Sequence, residues 1–319
     1  TSVAEFKAAE DAECILNLDD ITMVQKVPKF PALICFRYNP GAKREGNKIL
    51  GNPAEAKYGV RDDQIVEAYR LAKERGARHF GLHTMICSNQ LDYTYMVETV
   101  KMLLEVVERV SCELSIEFEF INVGGGVGIP YRPEQKAFDI PAFANGTLDC
   151  FGPFVKKFGY VPKLFMECGR CITGSYGVLV TSVINRMSKY REYVGVDACM
   201  SSLMRPALYD AYHHITVLGG ENRETEVVDV VGSLCENNDK FAQQREIPKT
   251  KGGDIVIIHD AGAHGYAMGF QYNGRIRPKE LLLRRDGSVQ LIRRAETVKD
   301  YFQTFSFRGK RITPKKEEV

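Results

Sequence analysis

The sequence predicts two folded parts, a parallel α/β part over residues 1–176 and an antiparallel β part over residues 177–307. Three observations predict this. Five short apolar runs alternate with helical patterns in the first part, the order that gives a parallel sheet. The runs are apolar on both faces, as in a barrel or a sheet covered on both sides. Beyond residue 176, β-rich runs follow one another between glycine-marked turns.

The opening residues predict a capped helix start, with Thr1 or Ser2 as N-cap and Glu5 in the first turn. The five apolar runs are Cys14–Leu18, Ala32–Arg37, Phe80–Met85, Ile116–Val123 and Leu164–Glu167. Helical patterns cover Gln64–Arg75 and Tyr93–Val110. In the second of these, Met96, Val97, Val100, Leu103, Leu104, Val107 and Val110 recur at helical spacing. Five βα units by about Gly174 are five of the eight in a (β/α)₈ TIM barrel. On that architecture three units, roughly 90 residues, would be missing.

In the second part, strands are expected over Gly177–Met187, Tyr193–Ala198, Ile215–Leu218, Glu226–Leu234, Asp254–His259 and Ser288–Arg293. Gly219-Gly220, Lys251-Gly252-Gly253 and Asp286-Gly287-Ser288 mark the turns. Residues 308–319, rich in Lys and Glu, are expected to be a disordered tail.

Composition bounds the function. Of 319 residues, 44% are apolar and 26% charged, and the formal net charge is only +2. A field that weak gives no argument for nucleic acid or anionic lipid. No apolar run approaches the roughly 18 residues of a membrane span. Nine scattered cysteines, with Cys14, Cys35, Cys87 and Cys199 in or beside apolar runs, suggest reduced, buried thiols in a cytoplasmic protein.

Several short segments carry the candidate chemistry. In Asn122–Tyr131 an apolar run leads directly into Gly124-Gly125-Gly126, where backbone N–H groups can approach an anion. The spacing is not the dinucleotide fingerprint, because Ile129 stands at the sixth position from Gly124. A flexible turn explains the glycines about as well as a phosphate site. The next run ends in Glu167-Cys168-Gly169-Arg170. An acid and an arginine at an adjacent strand end shift the balance toward a site that takes both a cation and a phosphate. Cys168 and Cys171 form a lone C-x-x-C without further ligands at matching spacing, so a redox or zinc site is a minor alternative. The six histidines show no metal spacing.

Further along, Arg205 and Tyr209 stand four apart and would share one face of a helical turn, able to hold a carboxylate. Cys235 and Glu236 follow a β run, within a segment that is otherwise an ordinary polar turn.

Together these segments, in order from about Thr1 to Phe302, resemble the diaminopimelate decarboxylases among the fold-type III pyridoxal-phosphate enzymes. That family pairs a (β/α)₈ barrel of the alanine-racemase type with a β-barrel or sandwich domain. The resemblance implies decarboxylation of meso-2,6-diaminopimelate to lysine. It implies that Gly124, Gly125, Gly126 and Ser88 contact the cofactor phosphate, and that Glu167 faces the pyridine nitrogen. Cys168, Gly169, Arg170 and His264 would complete the cofactor site. Arg170, Arg205 and Tyr209 would bind substrate, and Cys235 and Glu236 would enter the site of a neighbouring subunit in a homodimer. Cys235 would donate a proton, and Glu236 would contact the distal amino group.

The sequence departs from the family in four places. Met85 stands where a histidine stacks on the cofactor, Cys168 replaces a proline, and His264 replaces a tyrosine near the phosphate. The Tyr-Ala-x-Lys-like strand that carries the Schiff-base lysine is not found; Lys57, in Ala56-Lys57-Tyr58-Gly59, matches a later loop. The expectation is therefore a chain that lacks the family's N-terminal barrel units and is inactive alone. Other readings are a sister decarboxylase for ornithine, arginine, carboxynorspermidine or a carrier-bound glutamyl substrate, and a non-catalytic homologue that acts as a binding partner.

Overall fold

The computed structural model describes residues 1–46, 49–306 and 308–309. The chain forms two compact units, Thr1–Val178 and Leu179–Val319. The expected tail at 308–319 lies outside the described residues except for 308 and 309.

The first unit is built on strands β1 (Leu16–Leu18), β2 (Leu33–Asn39), β3 (Val60–Arg61), β4 (His79–His83), β5 (Phe118–Asn122) and β6 (Lys163–Phe165). Their order is β1-β2-β4-β5-β6, with β3 beside β2, and every pairing is parallel. The helices are α1 (Val3–Asp11), α2 (Met23–Lys26), α3 (Ile65–Glu74), α4 (Tyr93–Leu114), α5 (Ile140–Phe158) and α6 (Gly169–Thr173). Ser2 and Glu5 close a capping box at the start of α1, which satisfies two orphan N–H groups.

The core lies between the sheet and α3, α4 and α5. Along α4, Met96, Val100, Leu103, Leu104, Val107 and Val110 are all buried. Fully burying such a side chain is worth about 1.5–3 kcal/mol. Tyr69 of α3 is fully buried, edge-on to Phe36 and Phe118 at 4.9 and 5.0 Å, and its hydroxyl donates to the Gly81 carbonyl. Asp92 caps α4 by accepting from the Thr94 N–H at 2.9 Å. α5 forms although it holds Pro153, Gly146 and Gly152. Gly146 is where α4 comes close, since a Cβ there would lie 2.8 Å from the Val97 side chain.

The second unit contains β7 (Leu179–Ser188), β8 (Glu192–Val196), α7 (Arg205–Tyr209), β9 (Ile215–Val217), β10 (Thr225–Val231), β11 (Lys240–Pro248) and β12 (Ile255–Ile258). A separate ribbon of β13 (Glu280–Leu283) and β14 (Val289–Arg293) and the short α8 (Val298–Tyr301) follow. The sheet order is β11-β10-β8-β7-β12-β9. Here the expectation of a wholly antiparallel domain is corrected, because β8 and β10 run parallel. The excursion through α7 and β9 returns the chain to β8 in the same direction. The core is aliphatic: Val183, Val194, Val196, Val228, Val230, Ile247, Val256 and Ile258.

The thiols also differ in part from expectation. Cys35, Cys87 and Cys199 are buried, but Cys14 is exposed just after α1. All nine cysteines are free.

Candidate cofactor and substrate site

In a parallel sheet every strand delivers its next loop to the same edge. β4, β5 and β6 are neighbours and end at His83, Asn122 and Phe165. The segments after them carry the first unit's candidate residues, Ser88, Gly124–Gly126 and Glu167–Arg170, so the fold brings these together.

The glycines are fixed by close backbone approach. Gly124 and Gly126 have φ of +71° and +110°, values that L side chains avoid. A Cβ on Gly124 would lie 2.4 Å from the Thr84 carbonyl, on Gly125 2.7 Å from the Glu167 carbonyl, and on Gly126 2.7 Å from Cys87 Sγ. Two of the three N–H groups are already used: Gly124 donates to Asn122 Oδ1 at 2.9 Å and Gly125 to Met85 Sδ at 3.0 Å. The thioether of Met85 thus packs directly on the glycine turn.

Arg170 is 6% exposed at the start of α6. Its Nη1 donates to the Tyr131 hydroxyl at 2.6 Å and its Nη2 to Ser88 Oγ at 3.0 Å. Glu167, by contrast, keeps a half-exposed side chain. Its Oε1 accepts from Asn122 Nδ2 at 2.8 Å and lies 3.5 Å from His83 Nε2. Burial pushes the His83 imidazole down to about 4, so it is neutral at pH 7. Asn17 Nδ2 meets His83 Nδ1 at 2.8 Å.

His83, Asn17, Asn122 and Tyr131 were given no role by the sequence. The available signal was a polar residue within each apolar run, since His83 and Asn122 interrupt runs that the structure ends at those residues. Cys168 precedes α6, and burial raises its thiol above the ordinary range. Cys171 Sγ donates to the Cys168 carbonyl at 3.6 Å, and both thiols are free.

In the second unit, Arg205 and Tyr209 do form one turn, α7. Arg205 is 3% exposed and its Nη1 bonds His213 Nε2 at 2.7 Å. His213 Nδ1 lies 2.7 Å from the His259 carbonyl, an acceptor only, so the proton sits on Nδ1 and Nε2 accepts from Arg205. Cys235 is exposed, with Asn273 Nδ2 donating to its Sγ at 3.1 Å. The buried Asp239 holds this loop, accepting from Met200 N–H at 2.6 Å and Leu234 N–H at 2.9 Å. Glu236 Oε1 accepts from Asn238 N–H at 3.0 Å. His264 is exposed with φ of +56°.

Comparison with known families places this geometry. The family described as pyridoxal-dependent decarboxylase, C-terminal sheet domain, matches residues 20–262. The chain belongs to the pyridoxal-dependent decarboxylases. Protein TabA of Pseudomonas amygdali pv. tabaci is 48% identical over 302 residues, covering 94% of this chain and 71% of its own. Diaminopimelate decarboxylase of Methanothermobacter thermautotrophicus is 37% identical, covering 93% of this chain and 70% of its own. The solved diaminopimelate decarboxylase from M. jannaschii in co-complex with L-lysine superimposes with a TM-score of 0.86 at 29% identity, covering 96% of this chain and 72% of that one.

This decarboxylase is therefore a carboxy-lyase whose cofactor is pyridoxal phosphate, acting on an amino acid. Its residues fit that cofactor. At Gly124–Gly126 the backbone packs too closely for any Cβ and turns at the strand end with the Gly126 N–H in the turn, and Glu167 offers an Oε2 free of bonds among the described residues. Among the described residues no helix is long and apolar enough to cross a membrane.

Proposed function

We propose that this decarboxylase acts on meso-2,6-diaminopimelate and yields lysine. The observation that carries the reading is the convergence of Ser88, Gly124–Gly126, Glu167 and Arg170 on adjacent strand ends, in a chain 37% identical to a diaminopimelate decarboxylase. The parallel unit is part of a (β/α)₈ barrel, and the active form is a homodimer with shared sites.

Bound pyridoxal phosphate supplies an electron sink for the charge left when CO₂ departs. The chain's residues do the rest. Gly126 N–H and Ser88 Oγ would hold the phosphate, and Arg170 fixes Ser88 from beneath. Glu167 would keep the pyridine nitrogen protonated. Met85 would pack on the ring, a contact open to a polarisable thioether. Arg205, oriented by His213, and Tyr209 bind a substrate carboxylate. From a second copy, Glu236 binds the distal ammonium and Cys235 delivers the proton. Cys235 must be a neutral thiol to do so.

The test is a substrate panel. The protein, with any residues its gene places before Thr1, is loaded with pyridoxal phosphate and offered meso-diaminopimelate, ornithine, arginine and carboxynorspermidine. Lysine and CO₂ from the first alone is the expected result. Preference for another amino acid would overturn it. A second reading, a sister decarboxylase with a different substrate, is favoured by the greater identity to TabA, 48% against 37%.

A further inference from the structure

Two polar side chains, His83 and Asn122, face the Glu167 carboxylate at the strand ends of the first unit, and a third, Asn17, meets the far side of the His83 ring. Asn17 Nδ2 lies 2.8 Å from His83 Nδ1. An amide nitrogen only donates, so Nδ1 accepts and the ring proton is on Nε2. His83 is 4% exposed, and its Nε2 has no hydrogen-bond partner among the described residues; it lies 3.5 Å from Glu167 Oε1. Asn122 Nδ2 donates to the same Oε1 at 2.8 Å. One donor thus holds Oε1, a second nitrogen lies beside the same oxygen, and Oε2 is bonded by neither.

We propose that His83 is a positioning residue for Glu167: its Nε2–H, oriented by Asn17, joins Asn122 in holding Oε1 so that Oε2 is presented to the pyridine nitrogen of pyridoxal phosphate. This rests on the role given to Glu167 above. The choice of donor matters physically. An imidazolium beside Glu167 would neutralise the carboxylate and compete with the pyridinium for it. A neutral imidazole orients the carboxylate and leaves its charge available. Burial, with Arg37 nearby, keeps the ring neutral, against the opposing pull of Glu167 itself.

Two measurements test this without turnover. In the chain without cofactor, ¹⁵N NMR of histidine should report His83 as the Nε2–H tautomer, unchanged between about pH 5.5 and 8. An Nδ1–H tautomer or an imidazolium in that range would overturn the proposal. Next, ring-¹⁵N pyridoxine 5′-phosphate is titrated against the chain. The wild type should hold the ring nitrogen protonated at about pH 8. His83→Leu should weaken binding roughly three- to tenfold, the loss of about one hydrogen bond, and should lower the pH at which the ring nitrogen deprotonates. His83→Gln, whose side-chain amide can still donate, should recover most of both effects, and Asn17→Ala should lose part. Unchanged ring-nitrogen protonation in His83→Leu overturns the proposal while leaving the cofactor assignment intact. Failure of the wild type to bind pyridoxine 5′-phosphate removes the cofactor assignment of Glu167 and the proposal together.

Discussion

Arg170 donates to Ser88 across the width of three strands: Ser88 follows β4, Arg170 follows β6, and the second arm of the same guanidinium reaches Tyr131 after β5. One buried cation thus sets the spacing of three loops, and its fork geometry is what allows two directed bonds at once.

Replacing Arg170 with Met should therefore cost more than removing either partner. Each bond lost with a buried group left behind costs about 1–3 kcal/mol. Arg170→Met is expected to destabilise the first unit by about 3 kcal/mol and Ser88→Ala by about 1. The double variant should fall short of the sum, because the two changes remove one shared bond. Chemical denaturation of the four proteins reads this out.

The glycines near the site should separate into two classes. Gly124→Ala and Gly126→Ala combine a positive φ with a Cβ pressed on backbone or buried sulfur, and should each cost about 1–3 kcal/mol. Gly169 opens α6 with nothing within 4 Å of an added Cβ. Gly169→Ala should leave thermal stability unchanged or raise it slightly. Equal losses at all three positions would refute the distinction.

Asp62 accepts from Tyr38 Oη at 2.7 Å, Lys43 Nζ at 2.7 Å and Arg109 Nη2 at 2.7 Å. These partners, Arg109 foremost, hold its carboxyl well below the ordinary range. A depressed folded-state pKa gives stability that is present above the unfolded value, about 3.9, and lost as pH falls through the folded value. Asp62→Asn should cost about 1–2 kcal/mol at pH 7, allowing for its partial exposure. The difference from wild type should shrink as pH falls below about 4.

Thiol labelling should divide the cysteines. Cys14, Cys112 and Cys235 are exposed, whereas burial raises Cys87 to about 12 and Cys35 further still. A small alkylating agent should modify the first three quickly and leave Cys35, Cys87 and Cys199 intact until unfolding. Protection of Cys235 alone among these three at high protein concentration is the result expected of the proposed shared-site homodimer.

Much of the first unit was legible because local pattern and tertiary role coincide there. α4 repeats apolar residues at helical spacing, and the central runs of β2, β4 and β5 are apolar on both faces. β11 was not legible. Gln243-Gln244-Arg245-Glu246 breaks any alternation, Gln244 has φ of +45°, and the register against β10 shifts there. A bulge spends one residue outside the two-residue period on which strand recognition depends. α5 hid behind Pro153 and two glycines. In the site, Ser88, Glu167 and Arg170 stood out through their neighbours in sequence. Asn17 and His83 are separated by 66 positions, and only the β1-β2-β4 order brings them into range. Asp239 looked like part of a polar turn, and its burial is set by Met200, far upstream.

The strand order of the second unit dictates how it must assemble. β7 and β8 form a hairpin at once, but β9 gains a partner only after β12 has been made, some 40 residues later, because β12 sits between β7 and β9. Such distant pairings delay the entropic return on early contacts. Four strands of this sheet, β7, β8, β10 and β11, can pair before β12 is made, and β9, though earlier in the chain than β10, is the strand that must wait to be enrolled at the edge.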